Sequence, residues 1–168
     1  MIEYINGDAT LPQIDGKKII AHVCNDVGGW DRGFVVSLSK RWSQPEKNYR
    51  EWAAKRVGGV KLGRVQFVDV GDDVFVANMV AQHGVKNENG IPPIRYDALK
   101  TCLMEVKNFT VFNLNNEATV HMPRIGCGLA GGKWNEIEPI INEMLWCTSV
   151  YVYDYVSSDS VASIPWNP

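Results

Sequence analysis

Two stretches of this sequence combine residue types suited to holding a polyanion. The first, AHVCNDVGGWDRGF, covers residues 21–34: an apolar run ends there in Asn25, Asp26, Gly28, Gly29, Trp30, Asp31, Arg32 and Gly33. The second, MPRIGCGLAGGKWNEI, covers residues 122–137. Each follows a strand-like run and precedes a helix-like one. Glycines at such a junction let the backbone approach a ligand closely and turn its N–H groups inward. The helix N-terminus behind them adds the positive end of a dipole. Either loop alone is explained equally well as a tight connection. Two of them at equivalent strand-to-helix positions point to a diphosphate cradle. There is no GxxxxGK[ST], and no clean GxGxxG with an acidic residue after a further strand, so a P-loop and a Rossmann dinucleotide site are both disfavoured.

Titratable groups gather near the first loop. His22 ends a strand facing it, and a histidine near neutral pKa can protonate a leaving oxygen or take a phosphoryl group as nucleophile. A core histidine bonded to a backbone carbonyl accounts for the same position, and carries more weight. His83, in VAQHG, is a second candidate near the same rim. Asp26 and Asp31 could act as bases or orient a water, although loop aspartates are more often solvated caps. His121, inside TVHMPR, reads as structural. Cys127 sits between glycines and could pass for a nucleophile, but no partner base is visible. No metal triad is evident, and no cofactor is expected.

The elements that must position these groups follow from periodicity. IEYIN (2–6) reads as a strand stopped by Gly7, and KKIIAHVC (17–24) as a buried strand. FVVSLSKRW (34–42) has helical spacing, and Pro45 opens a second helix with Tyr49, Trp52 and Ala53 on one face. RVQFVDV (64–70) and VFVANMVAQ (74–82) flank Gly71-Asp72-Asp73, a hairpin signal. Residues 94–109 carry Leu99, Cys102, Leu103 and Val106 at amphipathic spacing, with an ambiguous end because NFTVFNL favours a strand. TVHMPRI (119–125) is a strand. Asn135 and Glu138 resemble a capping box ahead of a stripe of Ile137, Ile141, Met144 and Leu145. SVYVYDYV (149–156) is the last strand. Strands alternating with helices imply an α/β domain with helices on both faces of a mixed sheet. Ligands in such sheets bind at strand ends near a topological switch point. Gly7-Asp8 and the two glycine loops would gather there.

The bulk composition sets limits. The 168 residues fit one domain with a substantial core, and a net charge of −2 argues against a broad non-specific nucleic-acid footprint. The scattered cysteines, Cys24, Cys102, Cys127 and Cys147, have no CxxC spacing, which disfavours structural zinc and suits a reducing compartment. MIEYINGDA has no basic segment before an apolar one, and no run approaches a membrane span, so neither secretion nor membrane insertion is expected. The expected location is the cytoplasm, or the nucleus in a eukaryote, and the expected state is a monomer. The domain is expected over 1–156, with 157–168 a tail of looser composition and uncertain structure.

MPRIGCGLxxxxW closely resembles the phosphate loop of macro domains, nearest the branch that contains the terminal ADP-ribose glycohydrolase. AHVCNDVGGW and VAQH are similar to the poly(ADP-ribose)-sensing, chromatin-remodeller type of macro domain. HVCN followed by GGW, KRW and EKNY resembles the ADP-ribose 1''-phosphate phosphatase. The resemblance runs from residue 2 to about residue 155, with its motifs in matching order. It implies a three-layer α/β/α macro domain and ADP-ribose, or an ADP-ribosylated protein or nucleic acid, as the partner.

It also implies site residues. Asp8, beside Ala9, matches the reader of the adenine amino group. Without the resemblance, a turn or cap aspartate would be the better account. Asn25 matches the contact to the distal ribose and, with His22, is a candidate catalytic group. Gly33 and Phe34 would offer amides to the diphosphate, and Ile125, Gly126, Cys127, Gly128 and Leu129 the remainder. Tyr153 or Tyr155 would stack on adenine, and Trp30 could cover the distal ribose.

The departures bear on the reaction. The glycohydrolase branch has an aspartate where Ala130 stands, and a lysine in the strand that here ends in Ala81 and Gln82. Both groups of a lysyl–ADP-ribose mechanism are therefore absent, which favours a non-catalytic reader. Asp31 stands where relatives often carry glycine. A compact single domain narrowly favours an enzyme, removing the 1''-phosphate or hydrolysing an ADP-ribosyl bond. A third possibility is a partner-binding domain with a vestigial pocket, marked by exposed tryptophans such as Trp30, Trp42 and Trp52.

Overall fold

A computed structural model of the chain describes residues 2–155. The expected boundary after 156 and the tail at 157–168 lie outside the described residues. Ten elements follow one another: β1 (Ile2–Asn6), β2 (Lys18–Asn25), α1 (Phe34–Arg41), α2 (Gln44–Ala53), β3 (Val65–Gly71), β4 (Val74–Gln82), α3 (Tyr96–Asn113), β5 (Thr119–Pro123), α4 (Trp134–Met144) and β6 (Val150–Asp154). The six strands form one sheet in the order β1-β6-β5-β2-β4-β3. Neighbours are parallel except β3, which runs antiparallel to β4. The expected hairpin between them closes through Gly71, Asp72 and Asp73 at φ of 88°, 53° and 60°.

β2 lies in the middle of the sheet and is almost continuously buried because helices cover both of its faces. Its side chains alternate between two cores. Ile19 and Ala21 pack with α3 and α4 against Met79, Leu99, Leu103, Met122, Ile137 and Ile141. Ile20 and Cys24 pack with α1 and α2 against Trp30, Leu38, Tyr49 and Val76. Two helical layers thus enclose one mixed sheet, as the alternation of elements predicts.

Three expectations are corrected. The third helix begins at Tyr96, after Pro92 and Pro93, and runs to Asn113, taking in NFTVF. Tertiary packing overrides the local strand preference there, since Phe109 stacks on Phe67 at 3.9 Å and Thr110 is fully buried. The Asn135–Glu138 capping box is not formed. α4 starts at Trp134 with Lys133 at its N-cap and no side-chain cap, so Asn135 already lies within the first turn. The Glu138 carboxylate instead accepts hydrogen bonds from the Tyr4 hydroxyl and from Trp134 Nε1. The last two strands are also shorter than their sequence runs: β5 stops at Pro123 and β6 at Asp154.

Leu103 is fully buried where α3 meets the sheet. Leu103→Ala should cost about 3 kcal/mol by leaving a cavity, seen as a lower urea midpoint with an unchanged slope.

Candidate functional site

β2 and β5 are parallel neighbours, but the segments that follow them diverge. β2 leads through residues 26–33 to α1 on one face, and β5 leads through residues 124–133 to α4 on the other. A crevice must open where the two loops part, at the carboxyl ends of the strands. It measures about 600 Å³. His22, Asn25, Trp30, Gly33, Phe34, Ile125, Gly126, Gly128 and Leu129 all line it, so most of the residues singled out in sequence meet in one place.

The first loop is folded by one side chain. Asn25 Oδ1 accepts from the Val27 and Gly29 amides at 3.0 Å each, and Nδ2 donates to the Gly29 carbonyl at 2.9 Å. The hydroxyl of Tyr49, fully buried on α2, donates to the Asn25 carbonyl at 2.6 Å and accepts from the Gly28 amide at 3.2 Å. Burial raises its pKa, so it stays protonated and serves as a fixed donor. Sequence spacing predicts Tyr49 as a helix-face residue and nothing more. Its role depends on a partner 24 residues away.

His22 is buried, with Nε2 2.5 Å from Asn78 Oδ1 and its ring edge-on to Trp30. Burial lowers its pKa to about 4, against the opposing effect of the Asn78 contact. It is therefore neutral near pH 7 and satisfied by a side-chain amide, not by the backbone carbonyl that the sequence suggests. Trp30 is 3% exposed and donates from Nε1 to Ser39 Oγ, which corrects the picture of an exposed tryptophan interface. Its indole walls the crevice from inside the α1/α2 core.

Glycine is required where the second loop doubles back. A Cβ on Gly132 would lie 2.5 Å from the Gly126 carbonyl oxygen, which accepts the Gly132 amide at 2.7 Å. At the N-cap of α1, Gly33 adopts φ 82° and ψ −145°, a conformation confined to glycine. The amides of Gly33, Phe34, Gly126, Gly128 and Leu129 have no hydrogen-bond partner among the described residues. Arg32, Lys86 and Arg124 add positive charge to the walls, and Asp31 adds one negative. Arg124 is clamped to Asp154 by two bonds of 2.6 and 2.9 Å. Lys86 and Val85, supplied by the segment after β4, line the crevice without any signal in the sequence analysis, and Gln82, the last residue of β4, lines it too. Asn78 likewise escaped it.

Other expected site residues stand apart from the crevice wall. Asp8 follows β1 at the same carboxyl-end edge of the sheet. Its Oδ1 holds the Thr10 amide at 2.8 Å and the Thr10 hydroxyl at 2.7 Å, and Oδ2 is 3.9 Å from Arg41. Ala9 is buried. Tyr153 is 6% exposed, with its hydroxyl 2.8 Å from His121 Nδ1, whereas Tyr155 is open to solvent. Cys127 packs toward the α3/α4 core, its thiol pKa raised by burial, and its amide turns back to the Arg124 carbonyl at 3.4 Å. Among the described residues no group of three or more His, Cys, Asp or Glu is placed to hold a metal ion.

A macrodomain protein from Streptomyces coelicolor shares the fold with a TM-score of 0.81 and 48% identity, over 93% of this chain and 100% of that one. The chain belongs to the macro domain family. A Bacteroides thetaiotaomicron protein of unknown function superposes with a TM-score of 0.86 at 52% identity, covering 93% and 98% of the two chains. The chromodomain-helicase-DNA-binding protein 1-like of Danio rerio is 33% identical over 96% of this chain. The chain spans only 16–17% of the length of the first curated relatives it matches. An ADP-ribose 1''-phosphate phosphatase from Lodderomyces elongisporus is 23% identical over 85% of this chain and 92% of its own. An Oceanobacillus iheyensis macrodomain mutant solved with ADPR shares the fold at 16% identity and a TM-score of 0.66, over 96% and 88% of the chains. No protein-family model matches the sequence.

Within this macro domain, Tyr49→Phe removes one hydroxyl and leaves the Gly28 amide and an Asn25 oxygen unpaired. The expected loss is about 1–3 kcal/mol, with faster amide exchange at Gly28 and Gly29 than elsewhere in the domain. His22 and His121 both have folded pKa values of about 4, lowered from 6.5 chiefly by burial. The unfolded chain therefore binds more protons between pH 6.5 and 4. Stability should be level above that window and fall as pH drops through it, each histidine adding up to about 1.4 kcal/mol per pH unit. Urea titrations at several pH values check this, and His22→Gln should make the dependence shallower.

Proposed function

We propose that this macro domain binds ADP-ribose in the crevice and hydrolyses the bond at the 1'' position of an ADP-ribose derivative. That derivative is ADP-ribose 1''-phosphate or an ADP-ribosyl group on protein or nucleic acid. One observation carries the binding: two loops from adjacent strands bring unpaired amides to a single crevice, with the N-terminus of α1 behind one set. A diphosphate is the group that a double set of amides suits, since each amide supplies a directed donor without a competing cation. The names of the phosphatase relative and of the ADPR-bound Oceanobacillus macrodomain support ADP-ribose as the molecule that carries it. In this reading Asp8 receives the adenine amino group through the carboxylate oxygen that Thr10 leaves open. The second hydrogen of Asn25 Nδ2 meets a hydroxyl of the distal ribose. No helix among the described residues is long and apolar enough to cross a membrane.

The alternative is a reader that binds ADP-ribosylated targets without turning them over. Its support is that Ala81, 0% exposed, and Gln82 stand where the family's lysine would be, and Ala130, 5% exposed, at the place of its aspartate. His22, neutral and engaged by Asn78, also offers no acid near pH 7.

A phosphorus-NMR time course with ADP-ribose 1''-phosphate tests binding and the phosphatase activity together. Growing inorganic phosphate supports the hydrolase, and shifted diphosphate resonances without it leave a reader or a hydrolase of another ADP-ribosyl bond. Gly128 lines the crevice, and a Cβ there meets nothing within 4 Å. Gly128→Val should therefore fold normally yet weaken ADP-ribose binding at least about tenfold by calorimetry, through lost diphosphate bonds. Unchanged affinity would place the ligand elsewhere.

A further inference from the structure

Beside the crevice stands a second polar constellation that the diphosphate cradle does not use. Asp26 directly follows Asn25, and its amide continues the β2–β4 pairing by donating to the Gln82 carbonyl at 2.9 Å. Its Oδ1 accepts the Gly84 amide at 2.8 Å, and its Oδ2 lies 2.7 Å from His83 Nδ1. The His83 backbone is pinned in turn by its amide on the Pro93 carbonyl at 2.8 Å. The carboxylate side chain is 16% exposed and the imidazole 54%. Burial pushes the Asp26 carboxyl up, but the Gly84 amide and His83 outweigh it and hold it below its usual value. Asp26 is therefore an anion that draws the ring proton to Nδ1 and leaves Nε2 as the acceptor. Nε2 has no partner among the described residues. A loop staple would need only the Gly84 amide on Asp26. An oriented imidazole with an open nitrogen is the arrangement of a general base. Asn25, Gln82 and Val85, which flank the pair in sequence, all line the crevice.

We propose that His83 is the catalytic general base of this macro domain and Asp26 its positioning residue. The inference rests on the ADP-ribose reading of the crevice. His83 Nε2 takes a proton from water as the water oxygen bonds to the electrophilic atom of the scissile 1'' bond. That atom is phosphorus in the phosphate ester and the anomeric carbon in an ADP-ribosyl group. The bond to the leaving oxygen breaks with its electron pair, and the imidazolium returns the proton to that oxygen. The products are ADP-ribose and the free phosphate, hydroxyl or carboxyl compound, with water as the sole co-reactant.

The test uses the intact chain, ADP-ribose calorimetry and turnover of two probes, ADP-ribose 1''-phosphate and a peptide carrying ADP-ribosyl-glutamate. His83→Ala should lower kcat about 100-fold while ADP-ribose affinity stays unchanged. Imidazole added to the buffer should restore part of the rate, a rescue that a structural role would not give. Asp26→Asn should lower kcat less, without rescue. Undiminished turnover in His83→Ala overturns the base assignment and leaves the hydrolase standing. A wild-type chain that binds ADP-ribose but turns over neither probe overturns the inference and leaves a reader. A chain that does not bind ADP-ribose overturns the crevice reading and this inference with it.

Discussion

Adjacent parallel strands whose following helices lie on opposite faces must part at their carboxyl ends, and β2 and β5 are such a pair. The rest of the site depends on that divergence. It sets two loops facing each other, places the N-terminus of α1 behind one of them, and leaves backbone amides without a partner among the described residues. Folding normally avoids unpaired amides, because each costs stability unless water or a ligand satisfies it. Tolerating several of them around one crevice is consistent with a site that an anion completes.

Keeping the crevice open requires that neither loop collapse into it. The Asn25 amide and the Tyr49 hydroxyl do this for the first loop through short bonds with almost no solvent to compete. The second loop is held by close backbone contact between Gly126 and Gly132, and by Arg124 clamped on Asp154. Arg124 also lies 5.0 and 5.2 Å from the rings of Tyr4 and Trp134, which ties the loop to the outer strand β1. The two loops are thus braced by different chemistry, a buried polar knot on one side and a partly exposed arginine stack on the other.

The histidines divide by environment. His22 and His121 are buried, neutral and engaged, and their reluctance to charge makes stability fall in acid. His83 lies on the rim, oriented by Asp26 and open at Nε2. A histidine on the central strand is the more conspicuous candidate in sequence, yet burial there removes the proton transfer that makes histidine useful near neutral pH. The rim position leaves the His83 ring more than half exposed, beside the strand ends.

Local pattern determined a good deal of this protein. The buried run of β2, the β3–β4 hairpin with its positive-φ turn, the helical stripes of α1 and α3 and the two glycine loops are all short-range signals. Short-range signals survive because strand and helix periods repeat within a few residues. Where a local signal met a tertiary demand, it lost: Asn135 and Glu138 have capping-box spacing, yet α4 begins at Trp134, and Glu138 is taken by Tyr4 and Trp134. NFTVF favours a strand but became helix against Phe67. Only the tertiary structure could decide that Tyr49 would organise Asn25, that Trp30 would turn inward, and that Asp26 would meet His83 from 57 residues away. Those contacts follow from strand order, which sets β4 beside β2. Strand order is settled by how both cores close around the sheet, a property of the whole chain that no window of sequence contains.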